Sequence, residues 1–266
     1  MWKPTYRHLM YEHLEAYKRN SLQILEDGIA IRQKRSYGHI LPVEKADVNL
    51  ISPIRRDLLT AEANSNPKWK RHDGFHHLNS SQAFTWNLFF PLLMDQQTTN
   101  RLVLPILGLD GHEMVNWHFE KVPQQNEETN IDLAIDFADG GYAYAEVKLT
   151  EGSFGTAKSN PNRLTKLKEI YTPGLEEKVK VEVLSPKLFF SHYQILRNIF
   201  YAALPNRHCI FFLPAANAPL VRQINRFLDS YLLDAMRPVV HVVYFETFLQ
   251  RLIENPDMPT NVGLIM

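Results

Sequence analysis

The chain has 266 residues, with 29 Lys+Arg against 29 Asp+Glu, 45% hydrophobic residues and a single cysteine. This suits one large domain, or a core with an arm, and no apolar run reaches the roughly 18 residues that a membrane helix needs. Cys209 alone excludes an internal disulfide or a cysteine-rich zinc site, and the polar start lacks a secretory leader, so a cytoplasmic protein without membrane association is expected.

Residues 1–78 combine helical patterning (YRHLMYEHLEAYKRNSLQIL) with loop-like stretches such as NSNPKWKRHDGF. They read as an N-terminal helical arm, with a core over residues 79–266. SSQAFTWNLFFPLL opens with serines suited to capping and continues as a largely apolar helix. MVNWHFEKV reads as a strand. TNIDLAIDFA and YAYAEVKLT alternate apolar and polar residues around ADGG, a hairpin signal. After a long lysine-bearing connection, SHYQILRNIFYAAL shows helical spacing and HCIFFLP reads as a strand buried on both faces. NAPLVRQINRFLDSYLL is an amphipathic helix with Asn217 as its expected cap, VVHVVYF is another buried strand, and ETFLQRLIEN closes the chain as a helix. The expected fold is α/β of the mixed α+β kind, a central mixed sheet flanked by helices.

Charge is spread unevenly. Residues 1–80 carry 13 basic and 9 acidic side chains, 81–155 carry 3 and 11, and 156–266 carry 13 and 9. An acidic middle between basic ends suits a metal centre with phosphate-gripping flanks, as well as ordinary solvated surface.

The hairpin carries the chemistry. Strand alternation puts Asp132, Ala134 and Asp136 on one face and Tyr142, Tyr144, Glu146 and Lys148 on one face of the next strand. A three-residue loop, Asp139-Gly140-Gly141, places both sets on the same side, with Lys148 opposite Asp132, Glu146 opposite Ala134 and Asp136 opposite Tyr144. Two carboxylates and an ammonium then converge into a hard, oxygen-rich site for Mg²⁺, with Mn²⁺ as substitute. The Val147 carbonyl is a further expected donor. Lys148 would sit beside the metal-bound water, lowering its pKa or stabilising the transition state. The plain structural reading is an exposed hairpin face with a cross-strand Asp–Lys pair.

Asp132, a turn, then Glu146-Val147-Lys148 resembles the D…(D/E)-x-K signature of the PD-(D/E)XK, or restriction-endonuclease-like, nuclease superfamily. The order αβββαβ is similar to its core. HHLNSSQAFTWNLFFPLL, EVKLTE and HYQILRN resemble a bacterial restriction-endonuclease branch of it, over roughly residues 37–250. The resemblance implies a Mg²⁺-dependent endonuclease cutting double-stranded DNA, with a homodimer allowed for. It implies Asp132 and Glu146 as metal carboxylates, Lys148 as the active-site lysine and Gln194 as the glutamine of the helix after the third strand. Two departures stand out: Asn198 occupies the place of a tyrosine that some relatives carry, and Ile131 replaces the proline before the aspartate. A catalytically inactive nucleic-acid-binding or interaction module is the alternative, and unrelated chemistry with merely structural charges is a second.

Other residues carry lesser expectations. Ser80 and Ser81 open the helix beside the hairpin as capping serines, and Gln82 and Asn87 are placed to reach a phosphate or the surroundings of the metal. Glu120 reads first as a solvent-facing strand carboxylate and second as one approaching the metal. Glu151 is a candidate for positioning a ligand, and His77, with His72 and His76, for phosphate contact, since their spacing fits no zinc motif. GLDGHE and EGSFG fit neither a nucleotide loop nor a serine elbow. Lys158, Arg163, Lys166, Lys168, Lys178, Lys180 and Lys187 form a basic run that suits either solvent or a nucleic-acid backbone.

Overall fold

A computed structural model describes residues 5–66, 68–123 and 130–258. Among the described residues seven strands form, five of them from the alternating and continuous apolar runs. Gly28–Ala30 (β1) and Arg35–Tyr37 (β2) form a small hairpin in the N-terminal region, which short polar strands do not announce in sequence. The other five are Met114–Lys121 (β3), Ile131–Phe137 (β4), Tyr142–Val147 (β5), Arg207–Leu213 (β6) and Val240–Tyr244 (β7). They form one mixed sheet in the order β3-β4-β5-β6-β7, antiparallel through β5 and parallel from β5 to β7. Thr129, where the first hairpin strand was expected to start, lies outside the described residues, as do the first four and last eight residues of the two expected segments.

Helices cover both faces. On one side Leu133, Ile135, Ala143, Ala145, Val147, Ile210 and Phe212 pack with Trp86, Phe89, Leu92 and Phe248. The helix Ser81–Leu93 supplying most of these is apolar nearly all round, which only a buried helix can be. Ser80 caps it, accepting from the Ala83 N–H at 3.3 Å. Leu50, Ile54, Leu58 and Phe75 from the N-terminal region join the same cluster. On the other side Ala134, Tyr144, Cys209, Phe211 and Leu213 pack with Ile195, Ile199, Leu220, Ile224 and Phe227.

Three local expectations need correction. The helix expected over 191–204 is two, Pro186–Ser191 and Tyr193–Ala202, because His192 leaves helical geometry (φ −115°, ψ 23°). The basic connection contains short helical turns within 161–191. Asn217 makes no side-chain cap. Its amide donates instead to the carbonyls of Leu149 (3.3 Å) and Glu151 (2.9 Å), tying the following helix to the end of β5.

The hairpin register also differs. Asp136 lies opposite Tyr142 and Ala134 opposite Tyr144, two residues from the expected pairing. The loop is Ala138-Asp139-Gly140, closed by Phe137 N–H on the Gly141 carbonyl (2.9 Å), and Gly140, not Gly141, takes the left-handed conformation (φ +79°). Asp139 favours this earlier turn by accepting from the Gly141 N–H at 2.8 Å. The loop keeps its odd length, so the same faces still meet. The consequence is that Asp132 neighbours Glu146 rather than Lys148.

Candidate active site

Glu146 points from β5 toward the helix Tyr193–Ala202, in a position of the sheet where apolar residues would be expected, and is only 3% exposed. Such a carboxylate is tolerated only when paired and hydrogen-bonded. Its Oε1 lies 2.7 Å from Lys148 Nζ and accepts a short bond from the Gln194 side-chain amide. Its Oε2 accepts from Asn198 Nδ2 at 3.0 Å, with an Arg197 guanidinium nitrogen at 3.9 Å. Burial alone would raise the Glu146 carboxyl, but Lys148 and Arg197 outweigh it and hold it below the ordinary value. Burial likewise works against the Lys148 ammonium, which Glu146, Glu151 and Asp132 together raise above its ordinary value. Lys148 is therefore a charged donor and not a base.

Asp132 stands at the start of β4, where the strand parts from β5, and its Oδ2 accepts from the Val147 N–H at 2.7 Å. Burial first, then the adjacent Glu146 charge, push its carboxyl well above the ordinary value. Two neighbouring carboxylates in this state are an arrangement that an added cation relieves. The Val147 side chain packs into the opposite core.

Asp132, Glu146 and Lys148 border a cavity of about 370 Å³, together with Ser81, Gln82, Asn130, Gln194, Arg197, Lys70 and His72. Gln194 spans it: its oxygen accepts from the Gly155 N–H at 2.7 Å while its nitrogen serves Glu146. Gln82 is buried and clamps the preceding loop, accepting from the His72 N–H (2.9 Å) and donating to the Lys70 carbonyl (2.8 Å). Of the two serines expected at the helix start, Ser80 is the cap and Ser81 borders the cavity.

Three expectations change. Glu120 is not solvent-facing. It is 5% exposed, in a left-handed conformation (φ +53°), and accepts from Asn130 Nδ2 at 3.2 Å beside the cavity. Glu151 stands apart from the lining and accepts from the Leu149 N–H at 2.7 Å, so it shapes the end of β5. His77 belongs to a different depression, with Ile31, Arg32 and Asp73. None of the seven basic residues in the connection borders the cavity.

Sequence reasoning passed over Arg197, and it read Asn198 only as a departure. Both lie one turn beyond Gln194 on the same helix face, a spacing that could have signalled them. Lys70 had no local signal; it reaches the cavity on a loop clamped by Gln82, together with His72, which the sequence offered only as one of three histidines for phosphate contact. No helix among the described residues is long and apolar enough to cross a membrane. Compared with known families, residues 11–264 match the one described as Restriction Endonuclease associating with ARP. No curated protein and no solved structure matches the chain.

Proposed function

The chain belongs to the family of restriction endonucleases associating with ARP, and from that premise we propose that it is a metal-dependent nuclease hydrolysing phosphodiester bonds, with double-stranded DNA as its substrate. The observation that carries this reading is the convergence of Asp132, Glu146 and Lys148, from two adjacent strands, on one cavity whose rim also holds Lys70 and Arg197.

The donor set suits Mg²⁺. Among the described residues no three acidic, histidine or cysteine side chains gather into a complete ligand shell. Mg²⁺ ordinarily takes one or two carboxylates and leaves its remaining positions to water and substrate phosphate. Asp132 and Glu146 would hold it, with the Val147 carbonyl as a further donor, and the ion would offset both the burial and the Glu146 charge that keep the Asp132 carboxyl high. When bound, the ion would polarise the phosphate and supply a nucleophilic water.

The chain's own residues do the rest. Lys148 would stabilise charge developing on the phosphate. Gln194 and Asn198 hold the Glu146 carboxylate in one orientation. Lys70 and Arg197 would attract and align the backbone phosphates.

The test is cleavage of duplex DNA with Mg²⁺ by wild type and Glu146→Gln, alongside calorimetric Mn²⁺ titration of wild type and Asp132→Ala. Cleavage should be lost in the first variant and Mn²⁺ binding in the second. A Glu146→Gln protein that cuts at the wild-type rate would end the proposal.

A further inference from the structure

Glu120 is an anomaly in β3. Its neighbours Phe119 and Lys121 keep their pairing with Leu133 and Ile131, while Glu120 itself adopts φ +53°. Non-glycine residues rarely hold that conformation unless the surroundings impose it, and such strain gathers at functional sites. The twist turns a carboxylate inward. Its Oε2 accepts from Asn130 and lies 3.5 Å from His72 Nε2, while Oε1 is buried with no hydrogen-bond partner among the described residues.

The histidine is the opposite in character. Its side chain is 59% exposed and borders the cavity with Asp132, Glu146 and Lys148. Its backbone is pinned by Gln82, itself fixed on the helix Ser81–Leu93. An exposed imidazole is thus held in place at its backbone by one buried group and faces a buried charge at its ring. The contact with Glu120 raises the imidazole above its ordinary value against the burial cost. Asp73 adds to this and Arg32 opposes it.

Local charge gives this pair a consequence. Around the cavity the carboxylates of Asp132, Glu146 and Glu120 are matched by Lys70, Lys148 and Arg197. A phosphate entering such a mixed site gains less from its overall charge than it would from a wholly basic one. His72, an exposed imidazole on the rim, adds positive charge there when it is protonated.

We propose that His72, braced by the buried Glu120, is a proton-dependent grip for a backbone phosphate of the nucleic acid entering the cavity. The identity of the ligand rests on the nuclease reading above; the grip itself needs no metal. His72 binds substrate in this role, and Glu120 is a positioning residue that keeps the imidazole charged and aimed.

Binding of a short fluorescein-labelled DNA duplex to the full chain, in EDTA, tests this between about pH 6 and about pH 8.5, on either side of the usual imidazole range. Wild-type affinity should rise several-fold toward the acid end, and its salt dependence there should steepen by about 0.9 in the log–log slope, the signature of one added phosphate contact. His72→Gln, a change at an exposed side chain, should bind weakly and without that pH dependence. His72→Arg should bind tightly at both ends. Glu120→Gln should move the midpoint down toward the ordinary imidazole value. A folded His72→Gln protein that keeps the wild-type pH profile and salt slope overturns the grip. Mg²⁺-dependent cleavage by wild type, measured separately, decides the nuclease reading alone, so either idea can fail without the other.

Discussion

The Lys148 ammonium lies 2.7 Å from the carboxylate of Glu146, two residues earlier on the same strand face, and both are almost wholly buried. An ion pair in this setting contributes little net stability, but breaking it from one side leaves an uncompensated charge inside the protein. The pair therefore constrains which variants can report on function.

Lys148→Ala should lower unfolding stability by about 3–5 kcal/mol, the usual cost of orphaning a buried charge. The double variant Glu146→Gln, Lys148→Met should recover part of that loss, since neither member of the pair is left buried without the other, although Arg197 loses the carboxylate 3.9 Å away. Urea unfolding of both proteins checks this. If the double variant is no more stable than Lys148→Ala, the loss in Lys148→Ala does not come from an orphaned Glu146 charge.

Asn198 occupies the place where some members of the PD-(D/E)XK superfamily carry a tyrosine, and here it donates to Glu146 at 3.0 Å and to the Gln194 carbonyl at 2.9 Å. Asn198→Leu should cost about 1.5–3 kcal/mol, the range for removing a hydrogen bond to a charged group. Under the proposed function it should also depress kcat more than KM, because a loosened Glu146 is misplaced even when substrate is bound. Equal kcat values in variant and wild type would show that Asn198 only fills space.

Adjacent glycines in the hairpin should respond differently. At Gly140 a methyl group meets open space, so Gly140→Ala should cost only the left-handed backbone penalty, about 1–2 kcal/mol. At Gly141 a methyl group would overlap the Asn206 carbonyl oxygen on the approach to β6. Gly141→Ala should therefore be the more damaging change, and thermal melts of the two proteins would rank them.

Acid should destabilise the protein before it protonates ordinary carboxylates. Burial, first among the causes, lowers His39, His77 and His208 from 6.5 to about 4 each. Their folded forms stay neutral where the unfolded chain binds protons, so stability is intact above about pH 6.5 and falls as pH drops toward 4. His39→Phe, which retains the ring stacked 3.8 Å from Tyr11, should flatten part of this decline. A urea midpoint that is constant from pH 7 to about pH 4.5 would contradict the account.

Much of the architecture was legible along the chain. Alternation in IDLAIDF and YAYAEV, the continuous run RHCIFFL and the apolar Ser81–Leu93 segment each have one economical way to bury their side chains, and they form the strands and helix expected. The same periodicity identified Asp132, Glu146 and Lys148 as residues of one face, since strand alternation allows nothing else once the loop length is odd. Local pattern could not decide the register, because two odd-length turns differ only in which glycine takes the positive φ. Asp139 and the Gly141–Asn206 approach settled that through contacts made in three dimensions. Nor could it reveal that Glu120 turns inward, or that Lys70, His72 and Arg197 border one cavity with the two carboxylates. Those side chains come from a clamped loop, a strained strand position and a distant helix, and only packing of the helices against the sheet brings their charges close enough to interact.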